Sequence, residues 1–237
     1  MRKKLRKLFL CLLAVVLTTS YVSAQFTFGP RVGFNYTNMR HEYNGNKLDK
    51  EFRSKLKSGF QIGVVADYAL STEMSIQLGL LYAQQGYKSD YTWVGESKTI
   101  TKSITNLNYL QIPINAQIKF PLGGIDLLVQ TGPYLGFGIN GKYKYWDENG
   151  KMSNEDIKKW LGEIPKVSFG NEWEKNDMKG FDLGIGFGAG LQFGNIQAGL
   201  GYNIGIRNLA IQYKRGPDVL LLKNNGLALT ITYLFGN

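Results

Sequence analysis

The sequence predicts an all-β fold, namely an eight-stranded antiparallel transmembrane β-barrel with short periplasmic turns and long extracellular loops. Three observations support this prediction: a two-residue alternation of apolar side chains, an alternation of tight turns with long polar connections, and an N-terminal export signal. The alternation is clearest over 181–193, where every second residue is apolar and the others are four glycines, Asp182 and Gln192. Because a strand projects alternate side chains to opposite faces, this pattern is typical of lipid outside and a narrow polar lumen inside.

The first 24 residues have the pattern of a secretory signal peptide. Residues 1–7 carry five basic side chains and no acid, an apolar run covers 8–17, and Val22-Ser23-Ala24 has the small-x-small form that signal peptidase accepts. We expect cleavage after Ala24, which leaves 25–237 as one outer-membrane β-barrel domain. A lipoprotein acylated at Cys11 is the alternative, although few apolar residues precede that cysteine. No other stretch approaches the roughly 20 apolar residues of a transmembrane helix.

Composition excludes several classes of partner and chemistry. Cleavage of the signal removes five cations and no anions, so the formal net charge falls from +10 to +5. This excess is mild and forms no basic stripe, so we expect no nucleic-acid partner. The mature chain contains no cysteine, which excludes disulfides, thiolate chemistry and cysteine-ligated metals.

The alternation and the connections together predict the topology. Tight turns are expected at 71–73, 121–124 and 194–195, and long polar connections near 39–57, 88–105, 140–178 and 209–224. In bacterial barrels the short turns face the periplasm, and an even number of strands puts both termini on one side. We therefore expect a multi-pass barrel in the bacterial outer membrane with both termini periplasmic. The predicted strands lie near 26–38, 58–70, 74–87, 106–120, 125–139, 179–193, 196–208 and 225–235.

The inward rows of these strands predict a polar lumen filled by side chains, because a barrel of eight strands encloses little more space than its side chains occupy. Both signs of charge are present, so we expect them to pair inside the barrel rather than remain as isolated buried charges. A proton or ion path through these side chains is the alternative. The candidate lumen core consists of Arg31, Asp67, Lys119, Asp126, Asp182 and Arg207.

Three short motifs resemble the PorT-like outer-membrane β-barrel family of Bacteroidetes, a porin-like family. Residues 109–114 (YLQIPI) resemble its Y-L-x-I-P stretch, 132–136 (GPYLG) its G-P-Y-x-G strand, and 29–35 (GPRVGFN) its opening G-x-K-x-G-x-N strand. The resemblance implies an eight-stranded barrel with periplasmic termini, and most members have no established activity. PorT itself is associated with type IX secretion and gliding, a role that membership does not confer.

Two positions depart from the usual barrel pattern. Barrels of this kind often end on an aromatic residue that the assembly machinery reads, whereas here Phe235 is followed by Gly236 and Asn237. Pro113 lies within the fourth predicted strand, where it removes a ladder hydrogen bond. We therefore expect a β-bulge at Pro113.

The sequence offers little catalytic chemistry, and we expect a protein that is not an enzyme and has no cofactor, metal site or catalytic residue. His41 is the only histidine and lies between Arg40 and Glu42 in the first long connection. A metal site needs further ligands, and a catalytic dyad needs a positioned partner. A rim enzyme acting on lipid or peptide through His41 is the alternative. The glycines of 184–190 recur strictly every second residue, unlike a dinucleotide-binding fingerprint.

The connection 140–178 is the candidate binding surface. Ser153, followed by Glu155 and Asp156 and later by Gly162, predicts a short capped helix. Exposed tryptophan and tyrosine side chains are typical interface anchors, although a lid over the barrel mouth or a position at the lipid interface would also use them. The candidate binding residues are Tyr143, Tyr145, Trp146, Trp160 and Trp173.

The expected function is that of a non-enzymatic outer-membrane barrel that binds a protein partner through its outer loops, or that scaffolds a secretion or surface assembly. A small channel or ligand carrier is the main alternative. Outer-membrane lipid is an expected partner, and lipopolysaccharide is expected to meet the basic connection 39–57 through its phosphates. A solvated basic loop is the other interpretation of that connection.

Overall fold

The computed structural model describes residues 25–47, 54–90, 93–94, 99–161, 166–172, 174–211 and 220–236. The predicted signal peptide lies outside them. Within the described residues, helix α1 covers Asn154–Leu161, and two-residue strands lie at Asn46–Lys47, Trp93–Val94, Gly150–Lys151 and Lys166–Val167. The eight long strands are β1 (Phe26–Tyr43), β2 (Lys57–Ala69), β3 (Met74–Ser89), β4 (Thr99–Pro121), β5 (Asp126–Asp147), β6 (Phe181–Phe193), β7 (Ile196–Gly205) and β8 (Leu220–Tyr233).

The eight long strands pair in chain order and close into a ring. Each strand is antiparallel to its neighbours, and the last pairs with the first, with Val32 of β1 opposite Ile231 of β8. Closure leaves none of the eight strands at a free edge along the barrel wall. The predicted eight-stranded antiparallel barrel is confirmed.

The outer face of the ring is an apolar band. Phe34 is 66% exposed, Ile231 58% and Val64 57%. In the apolar row of 181–193 no residue is buried. Soluble monomers rarely expose a contiguous apolar surface of this extent. Barrels that face lipid do expose such a surface.

Among the described residues, no helix is both long and apolar enough to cross a membrane.

Several strands extend beyond their predicted ends. β1 continues to Tyr43 rather than 38, β4 begins at Thr99 rather than 106, and β5 continues to Asp147 rather than 139. The apolar alternation stops at the edge of the band, but backbone pairing continues with polar residues such as Asn106 and Lys142 opposite one another. Parts of the predicted loops 39–57, 88–105 and 140–178 are therefore strand.

The bulge predicted at Pro113 is wrong. Pro113 pairs with Tyr134 and Ala116 with Thr131 in one unbroken register. Gly79 on β3 leaves room for the proline ring, because an added Cβ at Gly79 would lie 2.8 Å from the Pro113 Cγ atom. The register of β4 and β5 shifts instead between Asn108 and Tyr109 and again between Ile100 and Lys102.

The first and last described residues of the chain and the tight turns lie at the same end of the barrel. Gly123 and Gly124 turn the chain between β4 and β5 with φ of 75° and 106°, angles that glycine adopts without strain. Phe235 follows β8 and exchanges backbone hydrogen bonds of 2.7 and 3.1 Å with Phe28. The aromatic residue near the C-terminus therefore continues the pairing of β8 with β1.

Candidate functional site

A hydrogen-bond network crosses the lumen at Gln77. Its side-chain nitrogen donates to Asp67 Oδ2 at 3.3 Å and to Gln197 Oε1 at 3.1 Å, and its oxygen accepts from the Arg31 guanidinium. β3 and β7, which carry Gln77 and Gln197, are on opposite sides of the ring. The network therefore bridges the full bore of the barrel.

Further polar side chains extend this network around the wall. The Ser75 hydroxyl donates to Asp67 at 3.2 Å, and the Gln117 amide donates to Gln130 at 2.8 Å. Gln197 in turn donates to Gln192 on β6 at 3.1 Å. The amides and hydroxyls satisfy groups that would be costly to bury without partners.

The candidate lumen charges do not all lie together. Arg31, Asp67 and Asp182 are buried, whereas Lys119 and Asp126 are half-buried near the turn end. Direct ion pairs were expected, but those described in the structure lie outside the lumen, and neutral amides and hydroxyls connect the buried charges instead.

The prediction that Arg207 belongs to the lumen core is wrong, because Arg207 is exposed outside the lumen. β7 ends at Gly205 rather than at 208, and the backbone nitrogen of Arg207 donates to the Leu183 carbonyl at 3.1 Å. Its exposed guanidinium is 5.1 Å from the centre of the Phe181 ring. A cation at this distance interacts favourably with an aromatic face.

Asp182 accepts hydrogen bonds from two neutral side chains elsewhere in the lumen. The Tyr134 hydroxyl donates to Asp182 at 3.2 Å, and the Asn224 amide donates to the same oxygen at 2.9 Å. Between this group and Arg31 lies a cavity of about 60 Å³. A polar cavity of this size holds only a few water molecules.

The outer mouth of the barrel is closed by an apolar cluster, called here the outer plug. Met39, Leu107 and Leu222 contribute inward side chains from three strands, and Leu209 closes over them with 0% exposure. The opposite mouth opens into a polar vestibule of about 400 Å³. The outer plug is completed by Tyr109, Val167, Met178 and Ala210.

Strands β3, β4 and β5 continue past the apolar band and form an outer extension, defined as residues 83–89, 99–109 and 138–147 together with α1. A second apolar cluster of Ile100, Met152 and Ile157 attaches α1 to this wall. The extension therefore has a core of its own beyond the membrane-facing surface.

The predicted capped helix is confirmed at its N-terminus. The Asp156 backbone nitrogen donates to Ser153 Oγ at 3.1 Å, and the Ser153 backbone nitrogen donates to Asp156 Oδ2 at 3.3 Å. This reciprocal pair is a capping box that uses aspartate in place of glutamate. Gly162, the predicted helix stop, lies outside the described residues.

The candidate binding aromatics lie in the outer extension. Tyr145 packs edge-on against Trp160 at 5.9 Å, and Lys102 lies 5.2 Å from the centre of the Trp146 ring. Tyr143 stacks on Tyr145, and all four aromatics are half-buried. Burial raises the pKa of Tyr143 and Tyr145, which keeps both hydroxyls protonated. Trp173, the fifth candidate, lies outside the described residues.

His41 lies at the outer end of β1. Its Nδ1 atom is 3.0 Å from the Met39 carbonyl oxygen, and its ring meets Tyr87 edge-on at 5.0 Å. Burial lowers the pKa of His41 below its usual 6.5. The neighbouring Glu42 accepts a hydrogen bond from Arg40 at 2.6 Å. Within the described part of the chain, no group of three acidic, histidine or cysteine side chains could hold a metal ion.

Comparison with solved structures found several small barrels at low sequence identity. Ail, the attachment invasion locus protein of Yersinia pestis, is 14% identical with a TM-score of 0.39, covering 89% of this chain and 99% of that one. OprG from Pseudomonas aeruginosa is 11% identical with a TM-score of 0.45, covering 90% and 97%. Neisserial surface protein A is 12% identical with a TM-score of 0.39, covering 88% and 99%.

A comparison with curated proteins found no match. The sequence model of one family, described as the outer membrane protein beta-barrel domain, matches residues 20–210. The matched segment includes seven of the eight strands of the ring. This chain therefore belongs to the outer membrane protein β-barrel domain family, whose members are proteins of the bacterial outer membrane.

Proposed function

We propose that this protein is a non-enzymatic outer-membrane barrel that binds a protein partner, or scaffolds a secretion or surface assembly, through its outer extension. The observation that carries the proposal is the ordered wall of β3, β4 and β5 beyond the apolar band, on the side of the long connections. In bacterial barrels that side faces the cell exterior. The termini are then periplasmic.

The internal packing of the outer extension supports a binding role. A surface that is ordered before binding loses less conformational freedom when a partner arrives. The capping box of α1 and the contact of Tyr145 with Trp160 fix this surface in advance. Exposed Glu155, Lys158 and Lys159 lie beside half-buried Trp160, and charged groups around an aromatic anchor are common at interfaces.

The closed bore favours this role over that of a small channel or ligand carrier. Conduction needs a continuous wet path, whereas the hydrogen bond between Gln77 and Gln197 crosses the bore and the outer plug covers its mouth. A rim enzyme would need a partner that activates His41, whose described contacts are a backbone carbonyl and a tyrosine ring.

Site-specific photo-crosslinking in intact cells tests the proposal. A photo-reactive amino acid replaces Lys158, which is exposed on α1, and a matched control replaces Thr72, which is exposed in a tight turn at the other end. We expect a discrete protein adduct from position 158 that position 72 does not give. Recovery of lipid alone from position 158, or of the same adduct from both positions, would contradict the proposal.

A further inference from the structure

A groove of about 860 Å³ lies on the outward face of the outer extension. Three lysines and three asparagines supply most of its polar lining, and the described lining contains no acidic side chain. The groove is therefore basic although the outer extension as a whole carries both signs of charge. The polar lining consists mainly of Asn106, Asn108, Asn140, Lys142, Lys144 and Lys166.

Strand pairing brings the three lysines together. Lys142 and Lys144 are two residues apart on β5, so their side chains leave the same face of the sheet. Lys166 pairs directly with Lys142 in the adjoining two-residue strand. Adjacent strands are roughly 4.8 Å apart, and all three lysines are exposed. The groove thus presents a compact cluster of ammonium groups.

The groove begins where the apolar band ends. Toward the outer end, Leu110 on β4 and Ile139 on β5 are the last exposed large apolar residues of their strands. The next outward pair is Asn108 with Asn140, whose side chains form a hydrogen bond of 2.7 Å. Lys142 and Lys144 lie three and five residues beyond Ile139, roughly 10 and 17 Å along a strand. Because long lysine side chains reach toward the membrane interface, their ammonium groups are within reach of lipid headgroups.

Lysines on this side of the barrel repel one another. Burial, together with repulsion from Lys144 and Lys88, lowers the pKa of Lys57 to about 8. A bound anion beside Lys144 would relieve that repulsion. Ile139, which is 52% exposed, adds an apolar surface at the lower edge of the groove.

We propose that this groove binds the phosphate groups of lipid A, the membrane anchor of lipopolysaccharide, in the outer leaflet. The ammonium groups pair with the phosphates, and the acyl chains continue along Ile139 and the apolar band below it. The site differs from the basic connection 39–57 to which the sequence assigned lipopolysaccharide. It does not depend on the protein partner proposed above.

Binding of lipid A to the purified, folded full-length mature chain tests this proposal. The groove variant carries Lys142→Gln, Lys144→Gln and Lys166→Gln, and the control carries Lys151→Gln, Lys158→Gln and Lys159→Gln, which change exposed lysines outside the groove lining. Both variants lose the same charge. We expect the groove variant to bind diphosphoryl lipid A at least roughly tenfold more weakly than the wild type, and the control to bind within about twofold of it.

Two further probes identify the chemistry that is recognised. Dephosphorylated lipid A is expected to bind the wild type and the groove variant equally weakly, and inorganic phosphate is expected to compete only at far higher concentration than lipid A. Heat-modified electrophoretic mobility checks that both variants are folded. Equal loss in the two variants, undiminished binding of dephosphorylated lipid A, or phosphate competing as well as lipid A would overturn the proposal.

Discussion

The side chains of Gln77 on β3 and Gln197 on β7 form a hydrogen bond of 3.1 Å across the bore of the barrel. Four steps around the ring separate the two strands in either direction, so the contact joins opposite walls. Because Gln77 also accepts from Arg31 and donates to Asp67, this one amide connects three parts of the lumen.

Replacing Gln77 should destabilise the barrel. Gln77 is 1% exposed, and Gln77→Ala would leave Arg31 and Asp67 each without one buried partner. We expect a loss of about 2–4 kcal/mol in the free energy of unfolding, since hydrogen bonds to charged groups contribute about 1.5–3 kcal/mol each. Urea titration of protein folded into phospholipid vesicles measures it. Thr72→Ala, in an exposed turn, should change stability by less than about 0.5 kcal/mol. An equal effect in both variants would refute the role of Gln77.

Two inward glycines on neighbouring strands should respond oppositely to alanine. A Cβ added at Gly184 would lie 2.3 Å from the Ile204 carbonyl oxygen and 2.4 Å from the Tyr134 ring, whereas at Gly201 the nearest atom is 3.6 Å away. We expect Gly184→Ala to cost about 1–3 kcal/mol through overpacking. Gly201→Ala should be neutral or stabilising by up to about 1 kcal/mol. The same urea titration compares them, and equal stability of the two variants would contradict the packing described.

The titration of His41 should be visible as a single signal, because the chain contains one histidine. Burial lowers the pKa of His41, so we expect an NMR midpoint below 6.5 in detergent micelles. Between 6.5 and that midpoint the unfolded chain binds more protons than the folded one, so stability falls as pH falls through this window. His41→Gln should remove that dependence. A midpoint at or above 6.5 would show that the ring is solvated.

Lys57 should make stability rise with pH on the alkaline side. Its pKa in the folded protein is about 8 against a usual 10.5, so between these values the unfolded chain holds the extra proton and stability increases with pH. Lys57→Met should therefore exceed the wild type in free energy of unfolding most strongly below pH 8, and this difference should shrink toward pH 10.5. Parallel pH profiles for the wild type and Lys57→Met would contradict this assignment.

The fold could be predicted because the lipid-facing period is two residues and almost unbroken. A shift of one residue in the register of a strand would turn its apolar row, such as that of β6, into the lumen. The pattern therefore fixes which residues of each strand face outward and how many strands there are. The same reasoning placed Arg31, Asp67 and Asp182 on inward rows, and the structure places all three inside.

The parts that sequence analysis missed lie where the apolar alternation gives no information. Beyond the band both faces of a strand are polar or mixed, so the outer ends of β1, β4 and β5 read as loops. The outer plug uses Leu209, which arrives from a connection distant in sequence. The basic groove could have been found from Lys142 and Lys144 at two-residue spacing, had β5 been extended to Asp147.

Single-channel recording of the purified mature protein in planar lipid bilayers tests the central claim most directly, because a partner-binding barrel with a closed bore carries no current. We predict a flat baseline at voltages that reveal open porins, for the wild type and for the groove variant alike. Reproducible ion-conducting steps from the wild-type protein would contradict the closed bore and favour a channel.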